Sequence, residues 1–146
     1  MPFAPSILKE RESDYIKNPK QMPAPFMAVT FDSTPLGRQK MRAAMHAYDF
    51  TLRPQLVEET INPSYHRLIK AFERRTGIAG VLNTSYNLHG KPVVLGPKEA
   101  LEAFQASGLQ YLALGHVLIA KKQGISGGFQ STQQKPEVSA TGALIQ

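Results

Sequence analysis

The spacing of apolar residues predicts a helix over residues 62–76. Asn62 can accept hydrogen bonds from the free N–H groups of the first turn, and Pro63 suits the first helical position. Gly77 can end this helix in a left-handed conformation. One apolar stripe marks the predicted core face and consists of Tyr65, Leu68, Ile69 and Phe72.

Two further segments have apolar residues at helical spacing. Residues 97–106 predict a helix whose side chains Leu101 and Phe104 face inward. Residues 38–48 predict another, because their apolar side chains fall at i, i+3, i+4 and i+7. Those side chains are Met41, Ala44, Met45 and Tyr48.

Short apolar and β-branched runs between these segments predict strands. The predicted strands span residues 26–31, 55–57, 78–82, 92–95, 111–114 and 117–120. Their alternation with helices predicts an α/β protein of the α+β mixed type, with a mostly open mixed sheet flanked by helices. The Pro-rich residues 21–25 predict a loop, and the Gly-, Ser- and Gln-rich residues 123–146 predict a disordered tail.

Composition narrows the chemistry that this chain can perform. The chain has 146 residues, which fits one compact domain, and it has no cysteine, which excludes disulfides and thiolate ligands. Its four histidines have no metal-binding spacing, so we expect no metal site. We find no signal peptide and no membrane-spanning run, which predicts a cytoplasmic protein without a membrane partner. The net charge of +6 favours anionic partners such as nucleotides, phosphorylated metabolites or nucleic acid.

A polar cluster directly follows the predicted strand at residues 78–82. Its members are Asn83, Thr84, Ser85 and Asn87, with Gly90 behind them. Ligands of open sheets often bind beyond the carboxyl ends of strands, and short polar side chains can donate hydrogen bonds to an anion there. A turn in which these side chains bond to their own backbone explains the same composition.

A second polar cluster contains Asp49, Thr51 and Arg53. Alternate residues of an extended segment point the same way, so these side chains can face one site, where the planar guanidinium can hold a phosphate. A surface ion pair between the aspartate and the arginine is the simpler alternative. His46 and His89 can serve as acid–base groups, or they can simply be solvated.

Four segments of the chain, in this order, resemble a known family. They are P-F-A-P-S-I-L, D-F-T-L-R-P-Q, N-P-S-Y-H-R-L-I-K-A-F-E-R-R-T-G and N-T-S-Y-N-L-H-G-K-P-V-V. They resemble the C-terminal region of NodU-type O-carbamoyltransferases, which act in nodulation-factor and antibiotic biosynthesis. Members of that family contain similar patterns, which resemble R-P-F-A-P-S, D-G-T-x-R-x-Q and N-T-S-F-N-x-x-G-E-P-I-V. The resemblance covers residues 2 to about 122.

The resemblance implies a YrdC-like domain with a twisted sheet over residues 1–122. Such a domain takes carbamoyl phosphate and ATP, forms carbamoyl adenylate, and releases pyrophosphate and phosphate. An N-terminal domain of the actin-like ATPase superfamily, which carries iron, then transfers the carbamoyl group to a hydroxyl acceptor. Matched by motif, the implied catalytic residues are Arg53 and Ser85, and the implied cofactor-binding residues are Asn83, Thr84, Asn87, Asp49 and Thr51.

The chain also departs from the family pattern. Phe50 stands where the family usually has glycine, and Lys91 stands where it usually has glutamate. Basic residues that precede P-F-A-P-S in the family are missing, as is the acceptor domain. We therefore expect a fragment whose partner is the N-terminal domain, in the same enzyme or as a separate subunit.

Two other interpretations of the same residues stay open. One is a non-catalytic YrdC-like module that binds nucleotide or RNA; it draws on the net charge and on the basic face of residues 62–76, although no aromatic platform accompanies that face. The other is a domain that only docks on the acceptor domain.

Overall fold

Short strands and helices alternate along the chain in the computed structural model, which describes residues 3–122 and the pair Ala143–Leu144. The strands are β1 (Ala4–Leu8), β2 (Phe31–Asp32), β3 (Thr51–Leu52), β4 (Gln55–Val57), β5 (Gly80–Asn83), β6 (Tyr111–Leu114), β7 (Val117–Ala120) and β8 (Ala143–Leu144). The helices are α1 (Glu12–Tyr15), α2 (Pro35–Lys40), α3 (Pro63–Thr76) and α4 (Pro97–Ala106). Helices together with mixed and antiparallel sheets confirm the predicted α+β class.

These elements divide into two compact units. Unit 1 contains the described residues up to Thr84 together with β8, and unit 2 begins at Ser85. The boundary therefore falls inside the polar cluster N-T-S-Y-N. The tail predicted over residues 123–146 lies outside the described residues, apart from β8. Among the helices that the structure describes, none combines the length and the apolar character required to span a bilayer.

The sheet of unit 1 has the strand order β4-β1-β5-β8. Strand β1 pairs in parallel with β4 and antiparallel with β5, and it lies at the centre although it contains Pro5. A proline usually argues against a central strand, because it has no N–H for the ladder. Here pairing with β4 begins only at Ser6, so no hydrogen bond from Pro5 to β4 is required. The separate strands β2 and β3 pair antiparallel in the same unit.

Helix α3 covers the residues predicted for it and packs against β1 and β5. Asn62 Oδ1 accepts a hydrogen bond from Tyr65 N at 3.2 Å, and Gly77 ends the helix with φ +72°, as predicted. One of the four residues predicted for the core face of α3 does not belong to it. His66 is buried, whereas Leu68 is 40% exposed, so the prediction for Leu68 was wrong. The core of unit 1 is built from Ile7, Leu8, Tyr15, Ile16, Leu52, Leu56, Ile69 and their neighbours.

The helix predicted over residues 38–48 is wrong. Helix α2 ends at Lys40, residues 42–44 form a single 3₁₀ turn, and the chain then folds back. Met41 and Ala44 are both buried, because a three-residue period also places i and i+3 on one side. Tyr48, predicted on the same stripe, is 90% exposed.

Two strand predictions are also wrong. Of residues 26–31, only the last enters a strand, because the segment bends after Pro25. Residues 92–95 form no strand, since Pro92 lacks an N–H and Leu95 is 96% exposed. The strand predicted at residues 55–57 is observed as β4. The strand predicted at residues 78–82 is observed as β5, but it begins two residues later and includes Asn83.

Unit 2 consists of a loop, helix α4 and the antiparallel hairpin β6–β7. The bounds predicted for α4 and for both hairpin strands are confirmed. Ala100 and Phe104 are the buried residues of α4, so the inward orientation predicted for Phe104 is confirmed and that for Leu101 is wrong. The Lys121 ammonium lies 5.0 Å from the centre of the Phe104 ring.

Candidate functional site

A cleft of about 250 Å³ in unit 1 brings together the second polar cluster. Asp49, Thr51 and Arg53 all line it, which is the arrangement expected from their alternate spacing. The other lining residues are Phe3, Thr30, Ala44 and His46. The side chains of this cluster therefore lie at one small cavity, as a ligand site requires.

The alternation of buried and accessible residues explains how the cleft side chains are presented. Leu52 and Pro54 are fully buried, and they anchor this extended stretch of chain to the core of unit 1. Thr51 and Arg53 stand at the intervening positions and are half-buried. Because successive side chains of extended backbone point to opposite sides, burial of one pair directs the other pair into the cleft.

Asp49 organises the cleft through a single carboxylate oxygen. Its Oδ1 accepts hydrogen bonds from Thr51 N at 3.0 Å, from Thr51 Oγ1 at 2.8 Å and from His46 Nδ1 at 3.0 Å. The backbone N–H and the hydroxyl of Thr51, and then the His46 ring, hold the pKa of Asp49 below its usual range. The carboxylate therefore stays ionised, and accepts these hydrogen bonds, to a lower pH than an ordinary aspartate does.

Phe50 sits in the turn with φ +60°, a left-handed conformation that favours glycine. This is the position where the resembling family usually has glycine, so the departure in sequence coincides with backbone strain. The surroundings hold Phe50 in place. Ser33 donates a hydrogen bond to the Phe50 carbonyl, and the Arg38 guanidinium lies 5.0 Å from the ring centre.

Arg53 is the free cation of the cleft. None of the ion pairs among residues 3–122 involves its guanidinium. The neighbouring carboxylate of Asp49 is instead engaged by Thr51 and His46. The surface ion pair that was the simpler alternative for Asp49 and Arg53 is thus not formed, and the guanidinium is available to an anion.

Asn83 lies in a buried hydrogen-bond network rather than in the cleft lining. It is 8% exposed, and its Nδ2 donates to Ser6 Oγ at 2.9 Å and to Gln55 Oε1 at 3.1 Å. Ser6 Oγ in turn donates to Gln55 Oε1 at 2.9 Å. The network joins β1, β4 and β5, and it fixes the chain two residues beyond Arg53.

Ser6 and Gln55 were missed as site-related residues in the sequence. The available signal was their position inside the quoted motifs, P-F-A-P-S and D-F-T-L-R-P-Q. Three of the four motifs therefore meet in one network, at sequence separations of 28 to 77 residues. The fourth motif contains Tyr65, whose buried hydroxyl makes no hydrogen bond within normal geometric limits among the described residues. Burial raises the pKa of this phenol, and Ser6 opposes the rise with a smaller effect.

Ser85 and Asn87 of N-T-S-Y-N belong to a loop of unit 2 that is closed by its own hydrogen bonds. Ser85 Oγ donates to Asn87 Oδ1 at 2.7 Å, and Asn87 Nδ2 donates to the carbonyls of Leu88 and Lys91 at 3.2 and 2.9 Å. The turn interpretation describes this part of the cluster well. Thr84, the last residue of unit 1, is half-buried directly after β5.

Tyr86 fastens this loop to α4. Its hydroxyl donates to the Ala100 carbonyl at 2.9 Å, its own carbonyl accepts from Val94 N at 3.0 Å, and burial raises the pKa of its phenol. The loop and α4 border a groove of about 750 Å³ that is mostly apolar. Asn87, Lys91, Glu99 and Glu102 are the polar residues that line it, whereas His89 is exposed outside it.

The basic face of α3 is partly neutralised by acidic neighbours. Lys70 contacts Glu73 at 2.8 Å and Glu10 at 3.6 Å, and the hydrogen bond to Glu73 raises the pKa of the lysine. Burial works to raise the pKa of Glu10, but its backbone hydrogen bond and the bond with His66 outweigh this effect and lower it. The part of the chain described by the structure holds no group of three metal-binding side chains.

Comparison with known proteins identifies the family. The family model described as carbamoyltransferase C-terminus matches residues 1–121, so the chain belongs to this family. The resemblance stated from the four motifs is thereby confirmed.

Individual relatives include nodulation proteins and an O-carbamoyltransferase. The nodulation protein NolNO of Sinorhizobium fredii is 35% identical over 122 residues, which are 83% of this chain and 18% of NolNO. An uncharacterized protein of Methanocaldococcus jannaschii is 37% identical over 121 residues, covering 83% of this chain and 23% of that protein. The 3'-hydroxymethylcephem-O-carbamoyltransferase of Amycolatopsis lactamdurans is 27% identical over 84 residues, which are 58% of this chain and 16% of that protein. The chain spans about a fifth of the length of the curated relatives it matches.

Proposed function

We propose that the cleft of unit 1 binds carbamoyl phosphate and that the chain serves a carbamoyltransferase by forming carbamoyl adenylate from this substrate and ATP. One observation carries the proposal: Asp49, Thr51 and Arg53 line a single cleft, and the arginine has no ion-pair partner among residues 3–122. Family membership supplies the class of reaction.

The two halves of carbamoyl phosphate match two kinds of group in the cleft. The Arg53 guanidinium can grip the phosphate through two parallel N–H groups. Thr51 Oγ1 already donates its proton to Asp49, so its lone pairs and the second carboxylate oxygen of Asp49 act as acceptors. Acceptors suit the carbamoyl NH₂ group. The cleft should therefore prefer carbamoyl phosphate to acetyl phosphate, which has a methyl group at that position.

The proposed reaction needs no side-chain nucleophile. Water cleaves carbamoyl phosphate to carbamate and phosphate, and a carbamate oxygen then attacks the α-phosphorus of ATP, so that pyrophosphate leaves. Negative charge on the phosphate oxygens is stabilised by fixed donors such as Arg53. The N-terminal acceptor domain of the whole enzyme would then transfer the carbamoyl group to a hydroxyl. The contact of Ser85 with the ligand stays a prediction.

Isothermal titration with carbamoyl phosphate tests this proposal. Replacing Arg53 with alanine should weaken binding at least about tenfold, because a charge-assisted bidentate contact is lost. Arg67→Ala is the matched control, since Arg67 is exposed on α3 and outside the cleft. Acetyl phosphate should bind the wild type more weakly than carbamoyl phosphate. Equal affinity of both variants and the wild type would remove Arg53 from the site.

A further inference from the structure

We propose that His46 is a second phosphate-contacting residue of the cleft, oriented by Asp49 and binding through a protonated ring. This inference rests on the proposed function and deepens it, because it makes anion binding in the cleft depend on pH. It assigns to the ring a role that neither the motifs nor the family model gives to this position.

The hydrogen bond with Asp49 fixes which ring nitrogen faces a ligand. A carboxylate only accepts, so the 3.0 Å contact with Asp49 Oδ1 makes His46 Nδ1 the donor. The other nitrogen, Nε2, has no hydrogen-bond partner among residues 3–122. The side chain is 50% exposed and lines the same cleft as Arg53. The ring is therefore held at one end and accessible at the other.

The backbone of His46 is hydrogen-bonded as well as its ring. His46 N donates to the Thr51 carbonyl at 2.9 Å, and the His46 carbonyl accepts from Phe50 N at 3.0 Å. Together with the bond between Nδ1 and Asp49, these two backbone bonds place the ring, so it loses little conformational freedom when a ligand binds. Preorganisation of this kind favours binding without adding contacts.

Protonation decides what Nε2 offers to an anion. A neutral ring with its proton on Nδ1 presents a lone pair at Nε2, which repels a phosphate oxygen. A protonated ring presents an N–H at the same position and adds a positive charge. The charged or titratable residues that line the described cleft are His46, Asp49 and Arg53. Arg53 stays charged throughout, and Asp49, whose pKa is lowered, stays ionised near pH 5.5. Of the three groups, the imidazole is the one whose protonation would raise the anion affinity of the cleft on acidification.

Sulfate is the suitable probe, because it remains a dianion across the pH range in which imidazoles gain a proton. The wild type should bind sulfate at least about fivefold more tightly near pH 5.5 than near pH 8, as expected for one added charge-assisted contact. His46→Asn should lose this ratio, although its side-chain amide can still donate to Asp49. His89→Asn, which changes an exposed histidine of unit 2, should keep it.

The outcomes separate this inference from the proposed function. A wild type that binds carbamoyl phosphate, together with an H46N variant that keeps the wild-type pH ratio for sulfate, would overturn the role of His46 alone. A wild type that binds neither carbamoyl phosphate nor sulfate would overturn both. Loss of the ratio in H46N with unchanged circular dichroism supports the inference.

Discussion

The cleft segment at residues 46–53 and the loop at residues 85–91 are both short polar clusters, but they use their hydrogen bonds differently. In the cleft segment, Asp49 closes the turn with one oxygen and Arg53 is left without an ion-pair partner among the described residues. In the loop, Ser85 and Asn87 bond to each other and to two carbonyls of the same loop. Composition alone does not separate a site from a turn; the number of polar groups left unengaged does.

The same contrast divides the N-T-S-Y-N motif itself. Asn83 joins three strands of unit 1 from a buried position, whereas Asn87 stabilises a loop of unit 2. One motif therefore contributes to two different structures. Its first asparagine joins β5 to β1 and β4, and its second shapes a local turn.

Replacing Asn83 and Asn87 in turn should give the largest difference between the two regions, measured as the loss in free energy of unfolding. Asn83→Leu removes both hydrogen bonds that Asn83 donates from its buried position, to Ser6 Oγ and to Gln55 Oε1, which should lower the free energy of unfolding of unit 1 by about 2–3 kcal/mol. Asn87→Leu should cost about 1 kcal/mol or less, because water can reach the groups left unpaired. Urea unfolding measures both values. Equal losses would show that the buried network is no more important than the loop.

Phe50 provides a sharper test of the turn that shapes the cleft. At φ +60°, a Cβ atom costs about 1 kcal/mol relative to glycine. Phe50→Gly should therefore unfold at a free energy about 1 kcal/mol higher than Phe50→Ala, and both variants lose the contact with Arg38. Urea unfolding of the two variants gives this difference directly. If the alanine variant is the more stable one, the turn does not adopt the left-handed conformation in solution.

Acid titration of the Asp49 carboxyl should distinguish the two regions without a substitution in the core. The lowered pKa of Asp49 means that its carboxylate contributes stability above the usual aspartate pKa of about 3.9, and that this is lost as pH falls through the lower folded value. The Thr51 amide resonance should report a midpoint below about 3.9, and Asp49→Asn should abolish the transition. Val94 N, which bonds to the Tyr86 carbonyl, should not report this transition. A Thr51 midpoint at or above the usual aspartate value would contradict the described hydrogen bonds.

Ser85→Ala should have the smallest effect. Because this hydroxyl donates to Asn87 and is exposed, its loss should change the affinity for carbamoyl phosphate by less than about threefold. The calorimetric titration used for Arg53→Ala measures it. A tenfold loss would place Ser85 at the ligand, as the family resemblance implies.

Local signals in the sequence predicted a substantial part of this structure. The bounds of α3 and α4 followed from Asn62, Pro63, Gly77 and Pro97, because caps and prolines act on their own helix. The hairpin strands followed from apolar runs on either side of a glycine turn. The shared direction of Asp49, Thr51 and Arg53 followed from the two-residue period of extended chain.

What the sequence did not reveal depends on distant contacts. Ser6 and Asn83 are separated by 77 positions, and nothing local distinguishes a buried asparagine from a ligand-binding one. Likewise, the spacing of Met41 and Ala44 fits both an α-helix and a 3₁₀ turn. The spacing is followed by a turn that contains Asp49 and the left-handed Phe50 and in which the chain folds back, so an α-helix does not continue to residue 48.

Amide chemical shifts test most directly the central claim that the cleft, rather than the loop, receives the phosphate group. Carbamoyl phosphate titrated into ¹⁵N-labelled protein should shift the amides of residues 46–53 most, and Arg53→Ala should suppress these shifts. Residues 85–91 should respond less. Shifts concentrated at residues 85–91, with residues 46–53 unaffected, would contradict this claim.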